Sequence, residues 1–280
     1  MTLLINGQVE TQLPAVRRAM DYGDGLFETM RYENGTTELW SRHLSRLMQG
    51  AERLAIDQAQ LQIEKDMQLL LEQLRAAGKS SGVIKLRLIR GGDQRGYAPQ
   101  SASDPWRIFE HFDGLPIWGE PETAILCSQR LADQPQLSGI KHLNRLDQVL
   151  AAKEVSESEA SSGIMLDQRG MLCCGIDSNL FFEMAGSGVE SKILTPKLER
   201  SGVRGVFRGY AIEQLTQMNI SVMQRDIDMH TLEQCSGFWI SNAVKGLRHV
   251  QSLNGTAEWL NRSPIMESLQ NKLRQSLRIS

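Results

Sequence analysis

The nine residues Asp113-Gly114-Leu115-Pro116-Ile117-Trp118-Gly119-Glu120-Pro121 hold two glycines and two prolines between stretches of regular hydrophobic patterning. Proline lacks a backbone donor and glycine gains no rigidity from a side chain, so neither a helix nor a central strand is expected to run through such a segment. The break therefore predicts a smaller N-terminal α/β domain over residues 1–113, a linker over 114–121 and a larger C-terminal domain over 122–280. At 41% apolar residues, the 280-residue chain has material for a real core and is not a disordered protein.

Both halves mix the period of strands with the period of helices. Leu3–Ile5 followed by Asn6-Gly7 reads as a strand and tight turn. Leu26–Tyr32, the turn Asn34-Gly35 and a return strand Thr36–Trp40 read as a hairpin. Leu44, Leu47, Met48, Ala51, Leu54 and Ala55 fall on one helical face, and a second helix is expected over Ala59–Ala77. Val83–Ile89 and Trp106–His111 read as strands. Beyond the break, the pattern predicts a strand at Ala124–Ser128 and a helix near Leu146–Glu157. A hairpin is expected over Gly163–Met184, turning around Asp167–Gly170, then a short strand at Lys192–Leu194. A helix starts near Gly205, and strands follow at Ser221–Gln224, Phe238–Ser241 and Leu247–Val250. Ser263-Pro264 supplies an N-cap and first-turn proline for a last amphipathic helix carrying Ile265, Leu269, Leu273 and Leu277.

Charge narrows the function. The formal net charge is −2 with no Lys/Arg block, which argues against nucleic acid and anionic membrane as partners. No apolar run approaches the ~18 residues of a membrane span, and the start Met1–Gly7 lacks the layout of a signal peptide. The four cysteines, Cys127, Cys173, Cys174 and Cys235, have no metal-ligand spacing, so a reduced, cytoplasmic protein without a metal is expected.

Several segments could carry chemistry. Lys141 lies in Gly139-Ile140-Lys141-His142-Leu143-Asn144-Arg145, after an apolar residue and before a helix start. Such a lysine is either a solvated helix-end residue or an amine at a pocket mouth. In the second case desolvation eases loss of its proton, and only the neutral amine condenses with a carbonyl. Ser201-Gly202-Val203-Arg204-Gly205-Val206-Phe207-Arg208 runs through glycines into a helix. It is either a plain turn or a phosphate seat made of free N–H groups and the helix dipole. It lacks the Gly-Lys-Ser/Thr ending of a P-loop, and no strand leads into a Gly-x-Gly-x-x-Gly. Ser241-Asn242-Ala243 and Arg46 are further anion contacts, or a turn and a solvated arginine. Arg87, Arg90 and Arg95 crowd before and within a glycine-rich loop, where they could grip a carboxylate or line a strand edge.

Together these segments resemble one family over nearly the whole chain. Asp21-Tyr22-Gly23-Asp24-Gly25-Leu26-Phe27-Glu28-Thr29, His43-x-x-Arg46-Leu47, Arg90-Gly91-Gly92-x-x-Arg95-Gly96-Tyr97, Gly139–Arg145, Asn179-Leu180-Phe181, Gly202-x-x-Gly205-x-x-Arg208 and Ser241-Asn242-Ala243 are similar to motifs of the class IV (branched-chain type) pyridoxal-phosphate enzymes. The Lys-His-Leu-Asn-Arg and Arg-Gly-Tyr runs resemble the family's aminodeoxychorismate lyases more than its aminotransferases. The resemblance implies an α/β (α+β) two-domain fold of type IV, with a cofactor cleft between the domains, in a homodimer. It implies that pyridoxal 5'-phosphate is carried on Lys141 with Thr29 nearby. Arg46, the amides at Val206 and Phe207, and the Asn242-Ala243 turn would hold the phosphate, while Arg95 and Tyr97 meet a small-molecule substrate. For the lyases that substrate is 4-amino-4-deoxychorismate, split into 4-aminobenzoate and pyruvate for folate synthesis.

One position departs from the family. Five residues before Asn179, where the family places a glutamate on the cofactor's pyridine nitrogen, this chain has Cys174. A carboxylate there favours the strong electron sink that transamination needs, and a buried neutral thiol does so less well. Three readings stay open: elimination runs regardless, Asp177 serves the nitrogen, or ordinary cofactor chemistry is lost. A D-amino-acid or branched-chain aminotransferase and a non-catalytic relative are the alternatives to the lyase.

Overall fold

A computed structural model describes residues 2–56, 59–92, 94–99, 103–184, 192–254, 257–260 and 262–279. It packs as two compact units, Met1–Pro116 with Ile140–Asn144, and Ile117–Gly139 with Arg145–Ser280.

The first unit contains β1 (Thr2–Ile5), β2 (Gln8–Glu10), α1 (Arg17–Tyr22), β3 (Gly25–Tyr32), α2 (Trp40–Leu54), α3 (Gln60–Ala76), β4 (Gly82–Ile89) and β5 (Trp106–Phe112). Its sheet has the order β2-β1-β5-β4-β3, and every pairing is antiparallel. Strand alternation sends Leu26, Met30 and Tyr32 of β3, and Ile84, Leu86 and Leu88 of β4, into the interior. The helical spacing read from the sequence holds in α2, where Leu44, Leu47 and Ala51 are buried. In α3, Ile63, Met67, Leu70 and Leu74 form the matching stripe. Each such side chain contributes on the order of 1.5–3 kcal/mol by leaving water. Gly50 lets α2 approach β3, since a Cβ there would stand 2.8 Å from Leu26 Cδ2.

The return strand expected at Thr36–Trp40 does not form. Glu33 and Thr36 make a single bridge. The chain then coils, with Trp40 N–H donating to Thr37 C=O and His43 N–H to Leu39 C=O, and α2 begins at Trp40. The edge of β3 is taken by a distant segment instead. Phe27 N–H donates to Lys141 C=O and Leu143 N–H to Gly25 C=O, each at 2.9 Å, and Leu26 bridges His142. The stretch carrying Lys141, expected within the C-terminal domain, therefore packs with the first unit.

The second unit contains β6 (Glu122–Leu126), α4 (Leu146–Ser156), β7 (Ser162–Leu166), β8 (Leu172–Gly175), β9 (Asn179–Met184), β10 (Lys192–Pro196), α5 (Val206–Gln217), β11 (Ser221–Arg225), α6 (Met229–Glu233), β12 (Cys235–Asn242), β13 (Gly246–Leu253), β14 (Ala257–Glu258) and α7 (Pro264–Ser276). Its mixed sheet runs β11-β10-β9-β12-β13-β6-β7-β8, with β14 on β13. Leu180, Phe182, Phe238, Ile240 and Val250 share one core with Trp259. Phe182 stacks on Phe238 at 4.8 Å between ring centroids. Alternation puts Asn179, Phe181, Trp239 and Ser241 on the opposite face, where α5 packs on β12. Only β7 and β8 form the expected hairpin; β9 leaves it to pair with β10 and β12. Ser263 caps α7 by accepting the Met266 N–H, and Met266, Leu269 and Leu273 are buried. Within the expected linker, Trp118 is already part of this unit, edge-on to Phe207 at 5.3 Å between ring centroids.

Candidate active site

In the first unit, Lys141 is half-buried, and its Nζ lies 4.3 Å from the Phe27 ring centroid. A lysine tied by backbone bonds to a strand edge, with its amine on an aromatic face, is held in one place. On the inner face of β3, Glu28 is 1% exposed. Its Oε1 accepts from Arg46 Nε at 2.9 Å, its Oε2 accepts from Arg46 Nη2, and the same Oε2 lies 2.6 Å from His43 Nδ1. Burial alone would raise the Glu28 pKa. Arg46 and His43 overcome this and bring it down to about 2. Burial lowers the pKa of His43, against the pull of Glu28 and with help from Arg46 and Lys141. The imidazole is therefore neutral and donates its Nδ1–H to Glu28. Two N–H groups of Arg46 are thus spent on a buried carboxylate, which fixes the plane of its guanidinium.

Thr29 follows Glu28 on the strand and sits opposite Lys85 of β4. Phe27, Thr29 and Lys85 share one sheet face, and Lys85 Nζ lies 5.5 Å from the same Phe27 ring. Burial lowers the Lys85 pKa, as does Arg87, while Glu110 opposes.

The three arginines of the expected carboxylate cluster separate. Arg87 is ion-paired with Glu110. Arg90 donates to Asp24 Oδ2 at 2.8 Å and to the carbonyls of Leu54 and Ala55, closing the end of α2. Arg95 is exposed and makes no hydrogen bond or ion pair among the described residues. Tyr97, near it, is 87% exposed.

In the second unit, Val206 and Phe207 open α5, whose N-cap Gly205 supplies no side-chain bond to the first amides. Gly205 is dictated by space: a Cβ there would lie 1.9 Å from Asn179 Oδ1. Asn179 is held in turn, with Nδ2 donating to Val203 C=O at 2.8 Å. Across the β9–β12 pair from Asn179 stands Ser241, whose Oγ is buried and has no hydrogen-bond partner among the described residues. Asn242 Oδ1 accepts the N–H groups of Val244 and Lys245 at 3.0 and 2.7 Å, shaping the turn that contains Ala243. Uncapped helix amides beside an unpartnered hydroxyl suit a phosphate ester in chemical kind. Arg208, in the same first turn, points inward to Thr195 Oγ1, Pro196 C=O and Gln224 Oε1.

Cys174 lies on β8 opposite Met165 of β7, in a cluster with Cys127, Cys173 and Leu198. The hydrogen bond that the Cys173 thiol donates to Cys174, together with burial, pushes Cys173 well above its usual pKa. Burial raises Cys127 to about 11. These two thiols are neutral near pH 7. Asp177 is half-exposed, with Oδ1 3.6 Å from Arg248 Nη2. Among the described residues no group of His, Cys, Asp and Glu could hold a metal ion, and no helix is long and apolar enough to cross a membrane.

Sequence reading overlooked Glu28, His43 and Lys85. Glu28 was visible as a lone acid on the apolar face of an alternating strand, a position that a carboxylate occupies only when paired. Lys85 sits on the polar side of its strand, which marks its face and not its surroundings.

Comparison with known proteins gives the family and the fold. The family model of amino-transferase class IV matches residues 25–253, and the chain belongs to that family. It is 30% identical over 259 residues to an aminodeoxychorismate lyase of Vibrio harveyi, covering 89% of this chain and 90% of the relative. It is 26% identical over 261 residues to a putative branched-chain-amino-acid aminotransferase of Methanocaldococcus jannaschii, covering 91% and 88%. The crystal structure of 4-amino-4-deoxychorismate lyase from Pseudomonas aeruginosa superposes with a TM-score of 0.86 at 34% identity, covering 98% of this chain and 99% of that one. The α+β fold is that of class IV.

Proposed function

We propose that the protein is a pyridoxal 5'-phosphate-dependent carbon–oxygen lyase that converts 4-amino-4-deoxychorismate into 4-aminobenzoate and pyruvate, a step of folate synthesis. The observation that carries this reading is the seating of Lys141, its amine 4.3 Å from the Phe27 ring and its backbone bonded to β3 beside the Glu28–Arg46 pair. Similarity to lyases over nearly the full length supports the choice of reaction. A cytoplasmic homodimer is part of the same reading. The exposed apolar residues Leu146, Val149 and Leu150 on one face of α4 support a subunit contact.

Lys141 would hold the cofactor's carbonyl carbon and, once released from it by the substrate amine, act as base on the ring proton alpha to that nitrogen. When bound, pyridoxal phosphate supplies an electron sink for the carbanion and a phosphate ester as an anchor. Arg46, oriented by Glu28, would meet that ester, as would the amides of Val206 and Phe207, Ser241 Oγ and the Asn242-Ala243 turn. Thr29 lies on the strand face that carries Phe27 and would orient groups near the amine. Arg95 and Tyr97 would take the substrate. Loss of the proton and of the carbon–oxygen bond leaves an aromatic ring, which supplies driving force, so a carboxylate at position 174 is not required for elimination. A transaminase would have more need of one.

The test is pyruvate release from 4-amino-4-deoxychorismate with no 2-oxo acid added. Release by the wild-type protein and none by Lys141→Ala is the expected result. Full activity in Lys141→Ala would sink the mechanism. Product formation only with a 2-oxo acid would favour the aminotransferase. A folded protein that gives no phosphopyridoxyl peptide after borohydride reduction would favour a non-catalytic relative.

A further inference from the structure

Residues 94–99, in the loop after β4, are held by their backbone and expose their side chains. Arg18 of α1 is only 3% exposed. Its Nε donates to Asp24 Oδ2 at 2.8 Å, its Nη1 to Gly96 C=O at 3.2 Å and its Nη2 to Tyr97 C=O at 3.1 Å. One turn on, the Tyr22 hydroxyl accepts the Gly96 N–H at 3.1 Å, and its ring lies 5.3 Å from the Tyr97 ring. The Arg18 guanidinium carbon stands 5.1 Å from the Tyr22 ring centroid, which keeps the two holding groups together. Asp24 Oδ2 also accepts from Arg90 Nε, so the residue that starts the loop is tied to the same carboxylate. Gly96 has φ +87° with open space where a Cβ would be, so its requirement is for a backbone shape and not for close packing.

The side chains on this backbone do the opposite. Arg95 is exposed without a partner among the described residues, and Tyr97 is largely exposed. A buried guanidinium whose three bonded nitrogens are spent on one carboxylate and two successive carbonyls is a costly way to order a surface loop. It removes ordering entropy from a later binding event, because the backbone that carries the ligand-facing groups is fixed in advance. An arginine fork suits a carboxylate, and a phenol beside it offers a flat face to a ring.

We propose that Arg18, aided by Tyr22, is a positioning residue that holds Gly96 and Tyr97 so that Arg95 and Tyr97 are set for the carboxylated ring of the substrate. This assignment rests on the lyase reading for the identity of that ring. It rests on the hydrogen bonds above for the holding itself.

The experiment uses the cofactor-loaded protein, with Arg18→Met, Tyr22→Phe and Arg95→Ala compared with wild type. Hydrogen–deuterium exchange over residues 94–99 reads the holding, and steady-state pyruvate release reads its use. In Arg18→Met, exchange at Gly96 is expected to rise on the order of tenfold, and KM to rise by about the same factor with kcat within about twofold. Cofactor absorbance should stay at the wild-type value, while Tm falls because Asp24 and two carbonyls lose a buried donor, so each variant is assayed well below its own Tm. Tyr22→Phe, which deletes the acceptor of the Gly96 N–H, should raise exchange at Gly96 at least as much and KM by less, and Arg95→Ala should raise KM without altering exchange. Unchanged exchange in a folded Arg18→Met protein overturns the proposal. So does faster exchange with an unchanged KM, which would make the clamp merely structural. If the wild-type protein releases no pyruvate, the lyase reading fails separately, and the exchange result still decides whether Arg18 holds the loop.

Discussion

In the first unit a full negative charge is taken out of water at Glu28 and kept there by Arg46 and His43. In the second, the candidate phosphate seat offers backbone amides at the start of α5 and the hydroxyl of Ser241, and Arg208 in the same turn is directed inward. A buried ion network is close to all-or-none, since deleting one partner strands the other without solvent. A seat of amides and close-packed glycine is graded instead, and it fails by displacement over fractions of an ångström. The two units should therefore respond differently to substitution and to acid.

The largest effect is expected at Glu28. Glu28→Gln keeps the shape but removes the buried charge that faces Arg46 and His43, so a loss of about 3–5 kcal/mol in chemical denaturation is predicted, with cofactor affinity falling as well. A loss below about 1 kcal/mol would mean that Arg46 finds water easily, and the contrast between the units would weaken. Acid should separate them next. His249 is buried against Trp239, with neither ring nitrogen hydrogen-bonded among the described residues, and burial takes its pKa from 6.5 to about 4. Below pH 6.5 the unfolded chain binds this proton and the folded one does not. Up to about 3 kcal/mol is thus lost as pH falls from 6.5 to 4. Glu28 has the lowered pKa of a paired carboxylate. Its stabilisation is complete above pH 4.5 and fades only as pH falls towards 2. The lowered pKa of His43 acts in the same window on α2 and β3, so a variant separates the two: His249→Gln should lessen the opening of β12 and β13 in hydrogen exchange at pH 5 and leave that of β3 and α2 unchanged.

Gly205→Ala comes third. The new methyl meets Asn179 Oδ1, so the start of α5 must retreat, at a cost of about 1–3 kcal/mol and roughly tenfold weaker cofactor binding by fluorescence titration. Cys174→Ala should be smallest. If elimination does without an acid at this position, pyruvate release stays within a few-fold of wild type and stability falls by about 1 kcal/mol, for lost packing alone. A large fall in release with intact cofactor binding would give the thiol a chemical role.

Much of this contrast is legible in the sequence wherever one element carries the signal. The apolar stripe of α2, the glycine-led entry to α5 and the cap of α7 are written within a dozen residues each. What could not be read is pairing across long separations. Thr36–Trp40 has strand-like composition, but the edge it would have taken is bonded to residues more than a hundred positions later. Arg90 and Arg95 look alike in the chain. Only Asp24 and the end of α2 distinguish the buried tie from the exposed one. Arg18 carries no local sign of its task, because its two carbonyl partners lie 78 and 79 residues away.

The pairing of Ile140–Asn144 with β3 also bears on how the chain is made. A ribosome delivers residues 1–116 before this segment, so the nascent first unit must wait with one edge of β3 bare and without Lys141. A fragment ending at Pro116 would share that defect permanently. Splitting the gene at the glycine- and proline-rich break would therefore yield a sticky, incomplete half, whereas a split beyond Asn144 would leave the first unit whole.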